Sequence, residues 1–164
     1  MHIQIYTDGS CHTQQRVGGW AAIILGEKEN LELKGFEINT THNAMEILAV
    51  LKALDYLEKN PIKVANVGTF TTIEIVSDSQ YVVRILERKE KLKTNNFLTK
   101  KGTPIRNVDL VKKLIKRIET LPLIFTKIKA HQKATDKINF NRVVDQLARG
   151  EVRKITNNNA DFNT

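Results

Sequence analysis

Cysteine, proline and tryptophan are all scarce in this chain of 164 residues. The single cysteine, Cys11, excludes a disulfide framework and a cysteine-based zinc site, and it is typical of a reducing, cytoplasmic setting. No apolar run approaches the ~20 residues that a membrane-spanning helix needs. The first residues have neither the basic start nor the apolar stretch of a signal peptide. We therefore expect a monomeric domain over residues 1–155, with no membrane partner, and a disordered, asparagine-rich tail over 156–164.

Charge of one sign dominates the middle of the chain. The formal net charge is +8, and the segment 84–106 holds eight basic but only two acidic residues. Such a block attracts polyanions and makes their binding salt-dependent. A solvated face that aids solubility would have the same composition, so charge alone does not decide between these interpretations.

The hydrophobic pattern predicts an α/β fold. Alternating or β-branched runs predict five strands, near residues 2–7, 20–25, 31–36, 73–77 and 123–129. Apolar residues at helical spacing predict four helices: one capped by Asn43 and ended by Pro61, one over 79–88, one capped by Asn107 and ended by Pro122, and one from about Asn141. The connection between the third and fourth strands is long enough for a parallel crossover.

Four carboxylates, far apart in the sequence, can meet at one edge of this sheet. If the first and fourth strands are neighbours, the backbones at Asp8 and Asp78 lie about 4.8 Å apart. Glu46 and Asp145 lie in the first turns of two helices. Like charges in a cluster are unstable unless cations hold them together, so the pattern indicates divalent metal and phosphate chemistry.

Each acid also has an ordinary structural interpretation. Asp8 can begin an Asp-Gly turn, Glu46 can complete a capping box with Asn43, Asp78 can cap the second helix, and Asp145 can pair with Arg149 at i,i+4. Four such coincidences at one edge of a sheet are a weaker explanation than one shared site.

Six motifs occur in the order found in ribonuclease H of type 1, and the chain resembles that family from about residue 2 to residue 153. They are Tyr6-Thr7-Asp8-Gly9-Ser10-Cys11, Gly18-Gly19-Trp20-Ala21-Ala22-Ile23, Thr40-Thr41-His42-Asn43-Ala44-Met45-Glu46, Ser77-Asp78-Ser79-Gln80-Tyr81-Val82, Asn107-Val108-Asp109-Leu110 and Asp145-Gln146-Leu147-Ala148-Arg149. The resemblance implies a five-stranded mixed sheet of order 3-2-1-4-5, with strands 1, 4 and 5 parallel and helices on its faces.

By this resemblance the protein is an endonuclease that hydrolyses the RNA strand of an RNA–DNA hybrid with two Mg²⁺ ions, for which Mn²⁺ can substitute. Asp8 would bridge both ions, Asp145 would help hold the ion that carries the attacking water, and Glu46 and Asp78 would hold the ion on the leaving-group side. His131 would assist proton movement or product release. Two hard cations about 4 Å apart suit such an in-line displacement.

The resemblance also implies which residues contact the hybrid. Minor-groove contacts would come from Asn43, Gln80 and the backbone near Gly9, Ser10 and Cys11, a DNA-phosphate pocket from Thr41 and Asn107, and a basic handle from Arg88, Lys89, Lys91 and Lys93. Thr41 and Asn107 could equally be helix caps. Phe97 is the single aromatic residue in the basic block, so the grip is expected to be electrostatic and to weaken with salt.

Three alternatives stay open at this point. A hybrid-binding module without catalysis would keep the basic block and lose an acid, and no acid is missing here. A different nuclease of the same fold, such as a proofreading exonuclease or a junction resolvase, is the second alternative. Exonucleases of that group usually carry Asp-x-Glu on the first strand, whereas this chain has Asp8-Gly9-Ser10. A domain of a reverse transcriptase is a further alternative, although Met1 directly before the first strand favours a free-standing protein.

Overall fold

The computed structural model describes residues 2–60, 72–130 and 137–161. Within these ranges the chain forms five strands and five helices. Their order is β1 (His2–His12), β2 (Val17–Ile24), β3 (Leu31–Ile38), α1 (His42–Lys59), β4 (Thr72–Ser77), α2 (Gln80–Glu87), α3 (Lys89–Thr94), α4 (Val108–Thr120), β5 (Leu123–Lys127) and α5 (Phe140–Asp161). None of these helices is both long enough and apolar enough to cross a membrane.

The five strands form one mixed sheet in the order β3-β2-β1-β4-β5, as expected. The pairs β1–β2 and β2–β3 are antiparallel, while β1–β4 and β4–β5 are parallel. Tyr6 and Val76 form the last pair between the parallel strands β1 and β4. Asp8 and Asp78 each lie two residues beyond this pair, at the same end of the two strands. This register brings two of the predicted acids to one place.

Each face of the sheet is covered by its own helices. On one face, Ile5 and Ile75 pack with α1, α2 and α4 around buried residues such as Leu54 and Leu114. On the other face, α5 packs on β1 and β2 through Val144 and Ala148. The site therefore has rigid elements on both sides of the sheet, with α1 on one face and α5 on the other.

The first helix begins earlier than the sequence analysis predicts. Thr41 is its N-cap, since the Thr41 hydroxyl accepts a hydrogen bond of 3.2 Å from the backbone nitrogen of Ala44. The capping box of Asn43 and Glu46 is therefore wrong. Threonine and asparagine are both good caps, and the extended backbone at Thr41 decides between them. The capping role of Asp78 is also wrong, because Ser79 caps α2 and accepts from the Val82 nitrogen at 3.2 Å.

Two further segments differ from the prediction. The basic block contains the short helix α3, which is not among the four predicted helices. Leu92 anchors this helix in the core. At the other end, α5 continues to Asp161, so the expected disorder over residues 156–161 is replaced by helix. An established helix gains one hydrogen bond per added residue, which offsets the low helix propensity of asparagine. The domain boundary at residue 155 stays a prediction.

Candidate active site

Three of the four predicted acids meet at the edge of the sheet. Asp8 lies on β1, Glu46 on α1, and Asp78 directly after β4, and one carboxylate oxygen from each lies within 4.8 Å of the others. Asp8 and Glu46 are only 5% and 4% exposed. This three-acid cluster of Asp8, Glu46 and Asp78 has the donor type and the proximity that a divalent cation needs.

Gly9 allows the first two acids to approach so closely. A Cβ atom at Gly9 would lie 2.5 Å from the backbone nitrogen of Glu46 and 2.6 Å from the carbonyl carbon of Met45. The start of α1 therefore packs directly on the β1 backbone. Asp8 is not at a turn: β1 continues to His12, and Asp8 pairs with Ala21 inside the strand. The interpretation of Asp8 as the start of an Asp-Gly turn is thus wrong.

The cluster is electrostatically strained when no cation is bound. Burial, followed by the negative charges of Glu46, Asp78 and Asp145, raises the pKa of Asp8 from 3.8 to about 9, although the Gly9 N–H donates to Asp8 Oδ1 at 2.8 Å. Burial also raises the pKa of Glu46. Within the described part of the chain, Glu46 Oε2 is buried without a hydrogen-bond partner. An unpartnered buried carboxylate oxygen among like charges fits a cation ligand.

Asp145 lies beside the cluster but outside it. It lines the same cleft as Asp8, Glu46 and Asp78, and its charge contributes to the raised pKa of Asp8. Its Oδ1 atom accepts a hydrogen bond of 2.8 Å from Nε of Arg149, one turn further along α5. The i,i+4 pair that the sequence analysis offered as the ordinary interpretation of Asp145 is therefore present.

Two residues that the sequence analysis did not assign to the site contact these acids. His42 Nε2 lies 3.0 Å from Glu46 Oε1, and this hydrogen bond raises the pKa of His42. Asn141, only 4% exposed, donates from Nδ2 to Asp78 Oδ2 at 3.4 Å. The i,i+4 spacing of His42 and Glu46 indicates that these two side chains are neighbours on a helix, whereas nothing in the sequence pairs Asn141 with Asp78. The predicted His131 lies outside the described residues.

The predicted substrate contacts are divided between the cleft and other places. Gly9, Ser10, Asn43 and Gln80 line the cleft with the acids. The Cys11 thiol lies 3.8 Å from the carbonyl oxygen of Thr40. Thr41 is engaged in capping α1, as described above. Asn107 occupies the N-cap position of α4 without a side-chain capping bond, and its Nδ2 donates to the Tyr81 hydroxyl at 3.2 Å.

Two of the four predicted handle cations are ion-paired within the protein. Lys93 Nζ lies 2.5 Å from Glu119 Oε1, which ties α3 to α4, and Lys89 Nζ lies 3.5 Å from Glu90 Oε1. Arg88 and Lys91 are exposed, and neither forms an ion pair with a described residue. The charge that is free for a polyanion therefore differs from residue to residue along the block.

Comparisons with known proteins agree on one family. The sequence model described as RNase H matches residues 1–153. A protein of Thermoanaerobacter sp. (strain X514) named Ribonuclease H is 36% identical over 159 residues, which are 96% of this chain and 94% of that protein.

Solved structures have the same fold. An RNase H1 isolated from compost by a metagenomic approach matches with a TM-score of 0.66 and 23% identity, over 94% of this chain and 98% of that chain. A foamy viral protease-reverse transcriptase, solved in complex with an RNA/DNA hybrid, matches with a TM-score of 0.69 and 19% identity, over 93% of this chain and 20% of that one. Since the family match and the identity to the curated relative extend over nearly the whole chain, this chain belongs to the RNase H family.

Proposed function

We propose that this protein is an endonuclease that hydrolyses the RNA strand of RNA–DNA hybrids with the help of divalent cations. One observation carries the proposal: acids from β1, α1 and the end of β4 converge within 4.8 Å in a chain of the RNase H family. The cleft around them also holds polar side chains, including Asn43 and Gln80, that can bind a nucleic acid. A monomeric state and a cytoplasmic location stay predictions.

The residues of the three-acid cluster would hold the cations, and Asp145 would complete the site. Mg²⁺ is the cation we propose, as two ions, because it prefers hard oxygen ligands; Mn²⁺ would substitute. When bound, such ions would supply an activated water molecule and stabilisation of the departing oxygen of the phosphodiester.

The protein contributes position and electrostatics. Asp8, buried at the centre of the acids, has an environment that strongly disfavours its charged form in the absence of a cation. Glu46 Oε1 is held by His42, which leaves Oε2 available. His131, on the segment before α5, remains our candidate for proton transfer or product release, since histidine titrates near neutral pH.

Recognition of the hybrid would combine amide groups with a basic surface. Asn43 and Gln80 can both donate and accept hydrogen bonds, which suits contacts to 2′-hydroxyl groups and base edges in a minor groove. Arg88 and Lys91 would contribute most to the grip on phosphates, while Lys89 and Lys93 would contribute less because each has an acidic partner. Backbone groups at Gly9, Ser10 and Cys11, and the side chains of Thr41 and Asn107, complete the proposed contact set.

A cleavage assay tests the proposal. Labelled RNA–DNA hybrid, duplex DNA and duplex RNA are incubated with the protein in Mg²⁺, in Mn²⁺ and in EDTA. We expect internal cuts in the RNA strand of the hybrid alone, only with a metal, and none with Asp8→Asn. Tight binding of the hybrid without cleavage in either metal would instead identify a binding module, and preferred cleavage of duplex DNA would identify a different nuclease activity.

A further inference from the structure

Two acids of the cleft have partners on α5 with different charges. Asp78 accepts from the neutral amide of Asn141 at 3.4 Å, whereas Asp145 accepts from the guanidinium of Arg149 at the shorter distance of 2.8 Å. An amide orients a carboxylate without compensating its charge, whereas a guanidinium does both. The structure matches this difference: Asp78 belongs to the three-acid cluster, and Asp145 does not.

Arg149 is also in a position to change partners. It lines the cleft together with Asp145 and the three-acid cluster, and its side chain is 49% exposed. Guanidinium groups bind phosphate through parallel hydrogen bonds. An ion pair with this exposure is weak enough to be exchanged, so a phosphate that entered the cleft would compete with Asp145 for the same donors.

We propose that Arg149 is a positioning residue that holds Asp145 away from the three-acid cluster in the free protein. When a nucleic-acid phosphate binds the guanidinium group of Arg149, Asp145 is released and can complete the cation site. This inference rests on the proposed function. It implies that cation binding and hybrid binding strengthen one another, because each is opposed by the same ion pair. It also gives the free protein a cation site of three acids rather than four.

Substitutions on α5 test the proposal by calorimetric titration of Mn²⁺ into the protein without nucleic acid. Arg149→Gln removes the competing guanidinium, and we expect Mn²⁺ to bind about two- to fivefold tighter, the range that corresponds to an exposed ion pair. Arg153→Gln is the matched control, since Arg153 is an exposed arginine one turn further along the same helix. In an Asp145→Asn background, Arg149→Gln should give no gain, which isolates the pair from general charge effects.

Hybrid binding provides a second readout that needs no cleavage. In EDTA, fluorescence anisotropy with a labelled hybrid should give weaker binding for Arg149→Gln than for Arg153→Gln, because Arg149 lines the cleft and Arg153 does not. Equal Mn²⁺ affinity of Arg149→Gln and wild type, an equal gain in both glutamine variants, or unchanged hybrid affinity in Arg149→Gln would each overturn the proposal. If wild type binds no Mn²⁺ at all, the proposed function fails instead. Melting in EDTA checks that every variant is folded.

Discussion

Asp8→Asn is expected to stabilise the metal-free protein at neutral pH, although it removes an acid of the proposed active site. Asp8 has a pKa of about 9 in the folded protein and an ordinary value of 3.8. Between these values the folded state binds one more proton than the unfolded state, so the free energy of unfolding falls as the pH rises. Each pH unit costs about 1.4 kcal/mol.

The size of the effect follows from the pH interval between the ordinary pKa of Asp8 and its pKa in the folded protein. From pH 3.8 to pH 7 the cost of protonating Asp8 on folding accumulates to about 4 kcal/mol, an upper value because the neighbouring acids share the proton uptake. Asparagine has the shape of a protonated aspartate and carries no charge, so it avoids this cost. For a chain of this size, each kcal/mol corresponds to about 2–4 °C in Tm.

Thermal and urea unfolding in EDTA, followed by circular dichroism, measures the effect. The advantage of Asp8→Asn over wild type should be small near pH 4 and should grow up to pH 8. Glu27→Gln, which removes an exposed acid in the turn between β2 and β3, controls for the loss of one negative charge. Adding Mn²⁺ should reverse the order, because a cation that binds only the folded wild type stabilises it. A variant no more stable than wild type at pH 8, or an advantage independent of pH, would refute the reasoning.

The remaining predictions concern packing, substrate grip and the sheet. Gly9→Ala should cost about 1–3 kcal/mol, because its Cβ atom meets helix backbone at 2.5 Å. Gly150→Ala, where an added Cβ atom has no other atom within 4 Å, should stabilise α5 by up to ~1 kcal/mol. Equal free energies of unfolding in urea for the two variants would contradict this. In hybrid-binding titrations, Lys91→Ala should reduce the salt slope by about 1, and Lys93→Ala should reduce it less; equal losses would count against the assignment of charges. A hydrogen bond from a threonine on β5 lowers the pKa of Glu74, so the stability that this carboxylate supplies is present above its ordinary pKa and disappears as the pH falls through the lowered value. Glu74→Gln should therefore cost about 1 kcal/mol at pH 7, and the cost should shrink as the pH falls through the lowered pKa of Glu74, as pH-dependent unfolding would reveal.

The sheet was largely predictable from the sequence, but the end of its first strand was not. Alternation predicts β1 only as far as Thr7, because the following Asp-Gly-Ser-Cys-His stretch has little strand propensity. In the structure, pairing with β2 extends the strand through His12, which faces Val17. The pairing with β2 therefore overrides the low local strand propensity. As a result, Asp8 lies inside a central strand and not in a turn.

The acids themselves could be predicted, but their partners could not. Sequence spacing places Arg149 one turn after Asp145, and it is equally consistent with an exposed pair and with an acid directed at cations. The orientation of α5 decides how close this pair lies to the cleft. Val144 and Ala148 are fully buried against the sheet, and the next residue after each, about 100° further around the helix, lines the cleft.

Two glycines on neighbouring strands set the distance of the helices from the sheet, and hence the geometry of the site. A Cβ atom at Gly9 would meet the start of α1, and one at Gly19 would lie 2.1 Å from the carbonyl oxygen of Ala148 on α5. The predicted second strand begins only near residue 20, after the pair Gly18-Gly19, since glycine is usually a mark of turns. In this fold Gly9 and Gly19 both lie inside paired strands, opposite helix backbone. The helices that carry Glu46 and Asp145 approach the central strands closely because these side chains are missing, so the shape of the acidic site depends on residues that contribute no functional group to it.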